Sequence, residues 1–192
     1  MIENTKKRWG VVQRTLHWTI VLVVGLQLSI GFKFGQMAAD DPQRSELLSM
    51  HAGIGLTILG LMLFRLYWRR SHPVPKLPDT LTPAQKWLAH TTHWTIYILL
   101  IGMPVGGYLL VSAYGQPVPF FNSSLPALIN ENEKLQYALR GMHIAGAIAL
   151  IAILFLHISA ALRHAWSLRD GVMERMAPFG KATKPNSKKK KS

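Results

Sequence analysis

The segment from Arg140 to His164 constrains the fold of this chain more than any other stretch of its sequence. It is an almost uninterrupted apolar run, with His143 near one end and His157 near the other. The fourteen residues between these two positions would rise about 21 Å in an α-helix and complete nearly four turns, so both imidazoles share one face. The hydrocarbon core of a bilayer is about 30 Å thick, so the two rings would lie at opposite depths. A polar ring in hydrocarbon needs a partner, which makes both histidines candidate functional residues.

Four apolar runs are long enough to cross a bilayer, and together they predict an all-α integral membrane protein. The runs cover about residues 15–34, 48–68, 88–112 and 138–163. We expect a four-transmembrane-helix up-down bundle, with residues 1–180 as a single domain and residues 181–192 as a basic disordered tail. The chain contains no cysteine, which excludes disulfides, iron–sulfur clusters and thiolate-ligated or covalently attached haem.

The positive charge is concentrated on one side of the predicted bundle. The net charge is +13, which by itself could suggest nucleic acid as a partner. With four spans, however, both termini and the 69–87 loop share one side, and that side carries 18 of the 22 Lys and Arg residues. Short loops rich in Lys and Arg stay in the cytoplasm. We therefore expect both termini to be cytoplasmic in a bacterial inner membrane, with membrane lipid and no nucleic acid as a partner.

The connecting segments carry their own signals. Residues 35–46 are expected to form a short external loop, and the proline-rich segment 71–83 an extended linker. The aromatic and proline-rich loop 113–137 is expected to lie at the membrane interface as a lid. The segment from Ser167 to Gly180 predicts a short amphipathic helix. Gly53 and Gly55, which follow His51 closely, would leave space for a flat, bulky ligand against the backbone or would serve ordinary helix packing.

The histidines can be sorted by their expected depth in the membrane. At the external end only His51 and His143 occur, on different helices, and neutral imidazole suits iron. Two histidine ligands for a haem at that end would therefore have to be this pair. The candidates at the cytoplasmic end are His17, His90, His93, His157 and His164. His157 shares a face with His143 and is the natural ligand there. His17 is the preferred partner of His157, and His90 or His93 remains a possible replacement for it.

Two alternatives from other classes account for some of the same residues. A single membrane histidine often only bonds two helices together, but four histidines paired by depth across three helices are hard to explain in that way. A zinc or copper site needs three or four converging ligands, which only the cytoplasmic histidines could supply. A membrane metal-binding or transport protein would also need polar residues in mid-membrane, whereas the stretch Ala147–Leu154 is wholly apolar.

The order and spacing of several short motifs resemble the bacterial cytochrome b561 family, small four-helix di-haem membrane proteins that include superoxide oxidase. The similarity covers nearly the whole chain up to about Met176. The motifs that carry it are Leu16–Trp18, Met50–Gly53, Ala89–His93, Gly107–Tyr108, Arg140–His143, Leu156–His157 and Arg163–Trp166. The resemblance implies two non-covalent haem b groups in one transmembrane domain. Their axial ligands would be His17 with His157, and His51 with His143.

The resemblance also implies the function, which is electron transfer between the quinone pool and a periplasmic redox partner. The activity expected first is that of a superoxide oxidase, in which superoxide reduces the external haem and ubiquinone is the acceptor. Arg140, three residues before His143, would attract the anionic substrate, pair with a haem propionate or simply lie at the membrane interface. Ubiquinone would sit near the cytoplasmic haem with Arg65, His93 and His164 as candidate partners. The alternative is a haem b subunit or quinol-linked carrier that serves a separate dehydrogenase or periplasmic protein.

Overall fold

Four long helices make up most of the protein. The structure is a computed structural model that describes residues 2–5, 8–79 and 81–177. The helices are α1 (Val11–Gln36), α2 (Arg44–Ser71), α3 (Pro83–Ser112) and α4 (Glu133–Arg163). They contain 26, 28, 30 and 31 residues, so each is about 39 to 47 Å long. All four are apolar and long enough to cross a bilayer, which confirms the predicted fold class. Each helix extends beyond its predicted span, because the apolar run fills only its central part. The predicted tail, residues 181–192, lies outside the described residues.

The helices pack in chain order, and the first and last helices stay apart. Close backbone contacts join α1 to α2, α2 to α3 and α3 to α4, whereas the backbones of α1 and α4, and those of α2 and α4, scarcely approach each other. The common core lies mainly between the first three helices. Its members are aliphatic, sulfur-containing or aromatic: Ile20, Val24, Ile30, Ile54, Ile58, Met62, Tyr97, Leu100 and Leu150. Only one of them, Leu150, comes from α4.

Many other large apolar side chains of the helices are exposed. Phe32, Ile98, Ile148 and Phe155 are each more than half exposed at the surface of the bundle. In water such a surface would drive aggregation, whereas in hydrocarbon it is the expected solvent-facing side of a membrane bundle. The exposed apolar surface therefore agrees with four membrane-spanning helices.

Side-chain caps fix where α3 and α4 begin. Thr82 and Gln85 form a reciprocal capping box, and Pro83 occupies the first turn of α3. The side chain of Asn132 accepts a hydrogen bond from the backbone N–H of Leu135 at the start of α4. These two caps end the proline-rich linker and the long external loop respectively.

The long external loop is not entirely irregular. Strands β1 (Val118–Phe120) and β2 (Ser123–Leu125) pair as an antiparallel hairpin, with Val118 opposite Leu125. Strand β1 lies against α2 and α3, and Val118 is buried there. The expected lid is therefore a small hairpin that is packed against two helices.

The predicted amphipathic helix from Ser167 to Gly180 is wrong for the part that is described. A single π-helical turn, His164–Leu168, follows α4, and the chain then reverses at Arg169, whose φ is +48°. A short 3-10 turn, Met173–Arg175, comes next. The physical reason is local. The side chain of Asp170 bonds to the ring of His164 and to the backbone N–H of Val172, and Gly171 has a φ of +81°.

Candidate functional site

Two of the predicted histidines meet near the external ends of α2 and α4. The ring centres of His51 and His143 are 6.1 Å apart, and their planes are inclined by 70°. The Nδ1 atoms of both rings are buried and have no hydrogen-bond partner. An unpartnered ring nitrogen inside a membrane protein is costly unless a ligand satisfies it. Each ring thus has a buried nitrogen for which the described part of the chain supplies no partner.

Two glycines allow the neighbouring helices to approach these rings closely. A Cβ atom at Gly31 would lie 2.9 Å from Cε1 of His51, and one at Gly107 would lie 3.2 Å from Cε1 of His143. The first distance is shorter than real Cβ contacts allow. Gly31 on α1 and Gly107 on α3 are thus placed where any larger residue would push on a proposed ligand.

Gln27 on α1 is a further contact of His51 that sequence reasoning missed. Its side-chain amide nitrogen lies 3.3 Å from Nε2 of His51 and donates to the backbone carbonyl of His51 at 3.0 Å. Partners of this kind orient a ligating ring and fix which nitrogen carries its proton. The available signal was a lone amide within an otherwise apolar span.

The space beside Gly53 and Gly55 is filled by other side chains of the protein. A Cβ atom at Gly53 would lie 3.0 Å from the ring of Phe121, and one at Gly55 would lie 3.2 Å from the amide of Gln27. Phe121 sits at the tip of the hairpin with a φ of +50°. Its carbonyl accepts a hydrogen bond of 2.7 Å from the hydroxyl of Ser49. The hairpin therefore contacts α2 two residues before and two residues after His51.

The second cluster of histidines lies toward the other end of the bundle. The ring centres of His17 and His157 are 6.3 Å apart with an interplanar angle of 75°, and those of His93 and His157 are 5.3 Å apart. His90 is exposed and makes no ring contact among the described residues. The structure thus brings His17, His93 and His157 together and leaves His90 and the loop residue His72 outside the cluster.

The ring-centre separations of both pairs are compatible with two imidazoles that bind one iron. Metal–imidazole bonds are about 2.0–2.1 Å long, so a metal between two opposed rings separates the ring centres by roughly 6 Å. The separations of 6.1 Å for His51–His143 and 6.3 Å for His17–His157 match this value. The 5.3 Å between His93 and His157 is shorter. Moreover, each of these pairs joins two helices whose backbones scarcely touch.

Arg65 on α2 lies beside the cytoplasmic histidines. Its Nε donates to the hydroxyl of Tyr97 at 3.1 Å, and its Nη1 is buried without a partner. The guanidinium lies within electrostatic range of the rings of His17, His93 and His157. Arg65 and these three histidines, all proposed from sequence for the cytoplasmic end, therefore form one cluster. Tyr97 was missed because a tyrosine in an apolar span reads as an ordinary core residue.

His164 lies two turns beyond His157 and has a partner of its own. Its Nδ1 is 2.6 Å from Oδ2 of Asp170, and both side chains are largely buried. The segment that follows bonds to α1, because Trp18 donates its ring N–H to the carbonyl of Met176 and Arg14 donates to that of Ala177. This segment bridges α4 and α1 at the cytoplasmic end, where the backbones of the two helices are apart.

Arg140 is at the external rim and makes no hydrogen bond or ion pair among the described residues. Its exposed side chain lines a shallow groove on α4 with Glu133, Gln136 and Tyr137, and Tyr114 forms the opposite wall. His143 follows one turn later on the same helix. The groove offers a cation to an anion that approaches from outside, partly offset by the carboxylate of Glu133.

Comparison with known proteins agrees with this arrangement. The sequence model of the prokaryotic cytochrome b561 family matches residues 8–179. The chain is 28% identical over 174 residues to the probable superoxide oxidase CybB of Yersinia pestis, covering 90% of this chain and 97% of that protein. It is 24% identical over 174 residues to cytochrome b561 homolog 2 of Escherichia coli, covering 90% and 93%. It is 22% identical over 171 residues to cytochrome b561 homolog 1 of the same organism, covering 89% and 97%.

The family match spans all four helices and both histidine clusters. The four apolar helices agree with a protein of this family. The chain therefore belongs to the prokaryotic cytochrome b561 family and is a haem b-binding, multi-pass electron-transfer protein of the bacterial inner membrane.

Proposed function

We propose that this protein is a superoxide:ubiquinone oxidoreductase that contains two haem b groups, each bound by two histidines. The observation that carries the proposal is the pair of histidine couples, His51–His143 and His17–His157, with similar ring separations at opposite ends of the bundle. The two α4 ligands would be about 21 Å apart along the helix. Each haem would carry one electron at a time between the two faces of the membrane.

The external half supports an anionic donor. Each superoxide would lose one electron and leave as O2, a step that needs no proton from the protein. Arg140 offers its charge in the groove that starts one turn before His143. The hairpin shields the α2 side of the His51–His143 pair, because the ring of Phe121 packs on Gly53 and the carbonyl of Phe121 accepts a hydrogen bond from Ser49. The name of the Yersinia pestis relative supports superoxide as the donor.

The cytoplasmic half supports ubiquinone as the acceptor. Ubiquinone takes up two electrons and two protons to become ubiquinol, so two superoxide anions are oxidised for each quinone. His93 has a side chain that is exposed at the lipid-facing surface of α3 and also contacts the ring of His157. A quinone head group arriving from the lipid would meet His93 first, with Arg65 behind it. His164, held by Asp170, would serve as a route for protons from the cytoplasm.

Three measurements on the purified protein test the proposal together. A pyridine haemochrome assay should give close to two haem b groups per polypeptide, all of them extractable with acid–acetone. Superoxide should reduce the haem groups within the mixing time of a stopped-flow experiment, and added ubiquinone should reoxidise them. The absorption spectrum follows both steps. His143→Ala, which should lack the external haem, is the matched control and should lose the fast reduction. Two haem groups without reduction by superoxide would instead support a haem subunit for a separate dehydrogenase, and a stoichiometric co-purifying partner would identify it.

A further inference from the structure

Arg65 lies deep in the bundle at the level of the proposed cytoplasmic ligands. It is six residues from the end of α2, just as His17 is six residues from the start of α1 and His157 six residues from the end of α4. Tyr97, which bonds to Arg65, lies one turn from His93 on α3, and the ring of His93 contacts that of His157, so Arg65 belongs to the same cluster. A guanidinium at this depth is a charge placed next to the site, not an interfacial anchor.

No acidic group of the chain neutralises this charge in the described part of the structure. The ion pair found there joins His164 to Asp170, and the hydrogen bond that Arg65 makes is to the neutral hydroxyl of Tyr97. Its Nη1 is buried with no partner. The other nearby charge is Arg69, one turn closer to the cytoplasm, which has the same sign and lies 5.8–5.9 Å from the ring centres of Trp9, Trp94 and Tyr97.

A fixed positive charge in a low-dielectric site favours the less positive state of its neighbour. A haem iron with two neutral imidazole ligands gains one positive charge when it is oxidised. Arg65 is within electrostatic range of both His17 and His157, so its charge disfavours oxidation at this site. At the external pair the cation one turn from His143 on α4 is Arg140, whose exposed side chain is screened by water. The two sites thus differ in the charge that faces them.

We propose that Arg65, held in place by Tyr97, raises the reduction potential of the haem bound by His17 and His157, so that electrons flow from the external haem to the cytoplasmic one. The inference rests on the proposed function, because it requires two haem groups of which the histidine pairs are the ligands. Arg65 is a positioning residue in this role, since it acts on the haem through space. Tyr97 is the residue that keeps the guanidinium from extending toward the interface.

Equilibrium redox titration of the purified di-haem protein tests this inference, with the external haem as an internal control in every sample. Arg65→Gln should lower the midpoint potential of the cytoplasmic haem and leave that of the external haem unchanged. Arg65→Lys, which keeps the charge, should restore most of the wild-type potential. Arg69→Gln, the matched control one turn away, should cause a smaller shift in the same direction. An unchanged midpoint in Arg65→Gln, with both haem groups present, would overturn the inference and leave the proposed function intact.

Tyr97→Phe keeps the test decisive if Arg65→Gln fails to retain its haem. Loss of the hydroxyl should free the guanidinium and lower the potential of the same haem, although the charge remains in the protein. An unchanged potential in Tyr97→Phe would contradict the inference independently. A wild-type protein that binds fewer than two haem groups would instead refute the proposed function itself, before any potential is compared.

Discussion

The histidines show how far single residues can be interpreted. Each one alone is compatible with a helix–helix hydrogen bond, and only pairing by depth predicts a cofactor site. The structure brings the rings of the two expected pairs to 6.1 Å and 6.3 Å. It also places the ring centre of His93 5.3 Å from that of His157, so His17 and His93 are both candidate partners of His157.

Alanine variants should separate the two haem sites. His51→Ala and His143→Ala should each remove one haem and give the same residual spectrum, because each takes away half of one ligand pair. His157→Ala should remove the other haem. Pyridine haemochrome content and low-temperature difference spectra measure the result. Different residual spectra for His51→Ala and His143→Ala would show that these residues do not share one haem.

The same assay decides between His17 and His93. We expect His17→Ala to lose the cytoplasmic haem and His93→Ala to keep it, since only the separation of His17 from His157 matches an iron between two rings. The opposite outcome would show that His93 is the ligand and that His17 is a packing residue beside Trp18.

Arg140 provides a test of the external chemistry. Its charge should speed the approach of superoxide, so Arg140→Gln should slow haem reduction by superoxide several-fold while haem content stays the same. Added salt should slow the wild type and affect the variant less, because ions screen an exposed charge. Reduction by quinol from the other end is the control and should not change. Equal losses in both assays would mean that Arg140 acts on the haem itself.

At the scale of the helices, the glycines differ in how closely side chains of a neighbouring helix approach them. Gly31 and Gly107 lie against the rings of His51 and His143, whereas Gly25, on the same helix as Gly31, has open space where a Cβ would be. A sequence shows all three as ordinary glycines in membrane helices. The neighbouring helix alone decides which of them is required.

Gly31→Ala and Gly25→Ala form a matched pair on α1. The added methyl group at position 31 would lie 2.9 Å from the His51 ring and should displace it, so this variant should lose most of the external haem. The variant at position 25 should keep both haem groups and the thermal stability of the wild type. The haem-to-protein absorbance ratio and a thermal melt check both expectations. Full haem content in Gly31→Ala would mean that α1 shifts to accommodate the methyl group.

At the scale of the whole molecule, the arrangement of the helices and the charge distribution determine which face each site uses. The backbones of α1 and α4 stay apart, and the segment that follows His164 links them at one end. The excess of Lys and Arg on that side predicts that it faces the cytoplasm. The His51–His143 pair and the hairpin would then face the periplasm.

Single cysteines introduced into this cysteine-free chain test that orientation. Ser123, in the hairpin, and Asp79, in the linker between α2 and α3, are both exposed. A membrane-impermeant maleimide added to intact spheroplasts should label Ser123→Cys and not Asp79→Cys. Labelling of both after the membrane is permeabilised is the control. The reverse pattern would exchange the substrate sides proposed for the two histidine pairs.

The sequence by itself determined the class of the protein, because properties that survive without tertiary contacts carry that information. Apolar length predicts a span, charge bias predicts orientation, and the fourteen-residue interval from His143 to His157 places them on one face. All of these depend on one helix at a time. The four helices and the family are confirmed, whereas the haem ligands remain predictions.

Only the tertiary structure decided which side chains meet across helices, because such contacts depend on helix rotation and separation that no local pattern encodes. These contacts join Tyr97 to Arg65, Gln27 to His51 and the ring of Phe121 to Gly53. The tertiary structure also turned the expected tail helix into a reversal held by the contact between His164 and Asp170. In a bilayer the hydrophobic effect does not choose among apolar helix faces, so packing at small residues and a few polar contacts make that choice.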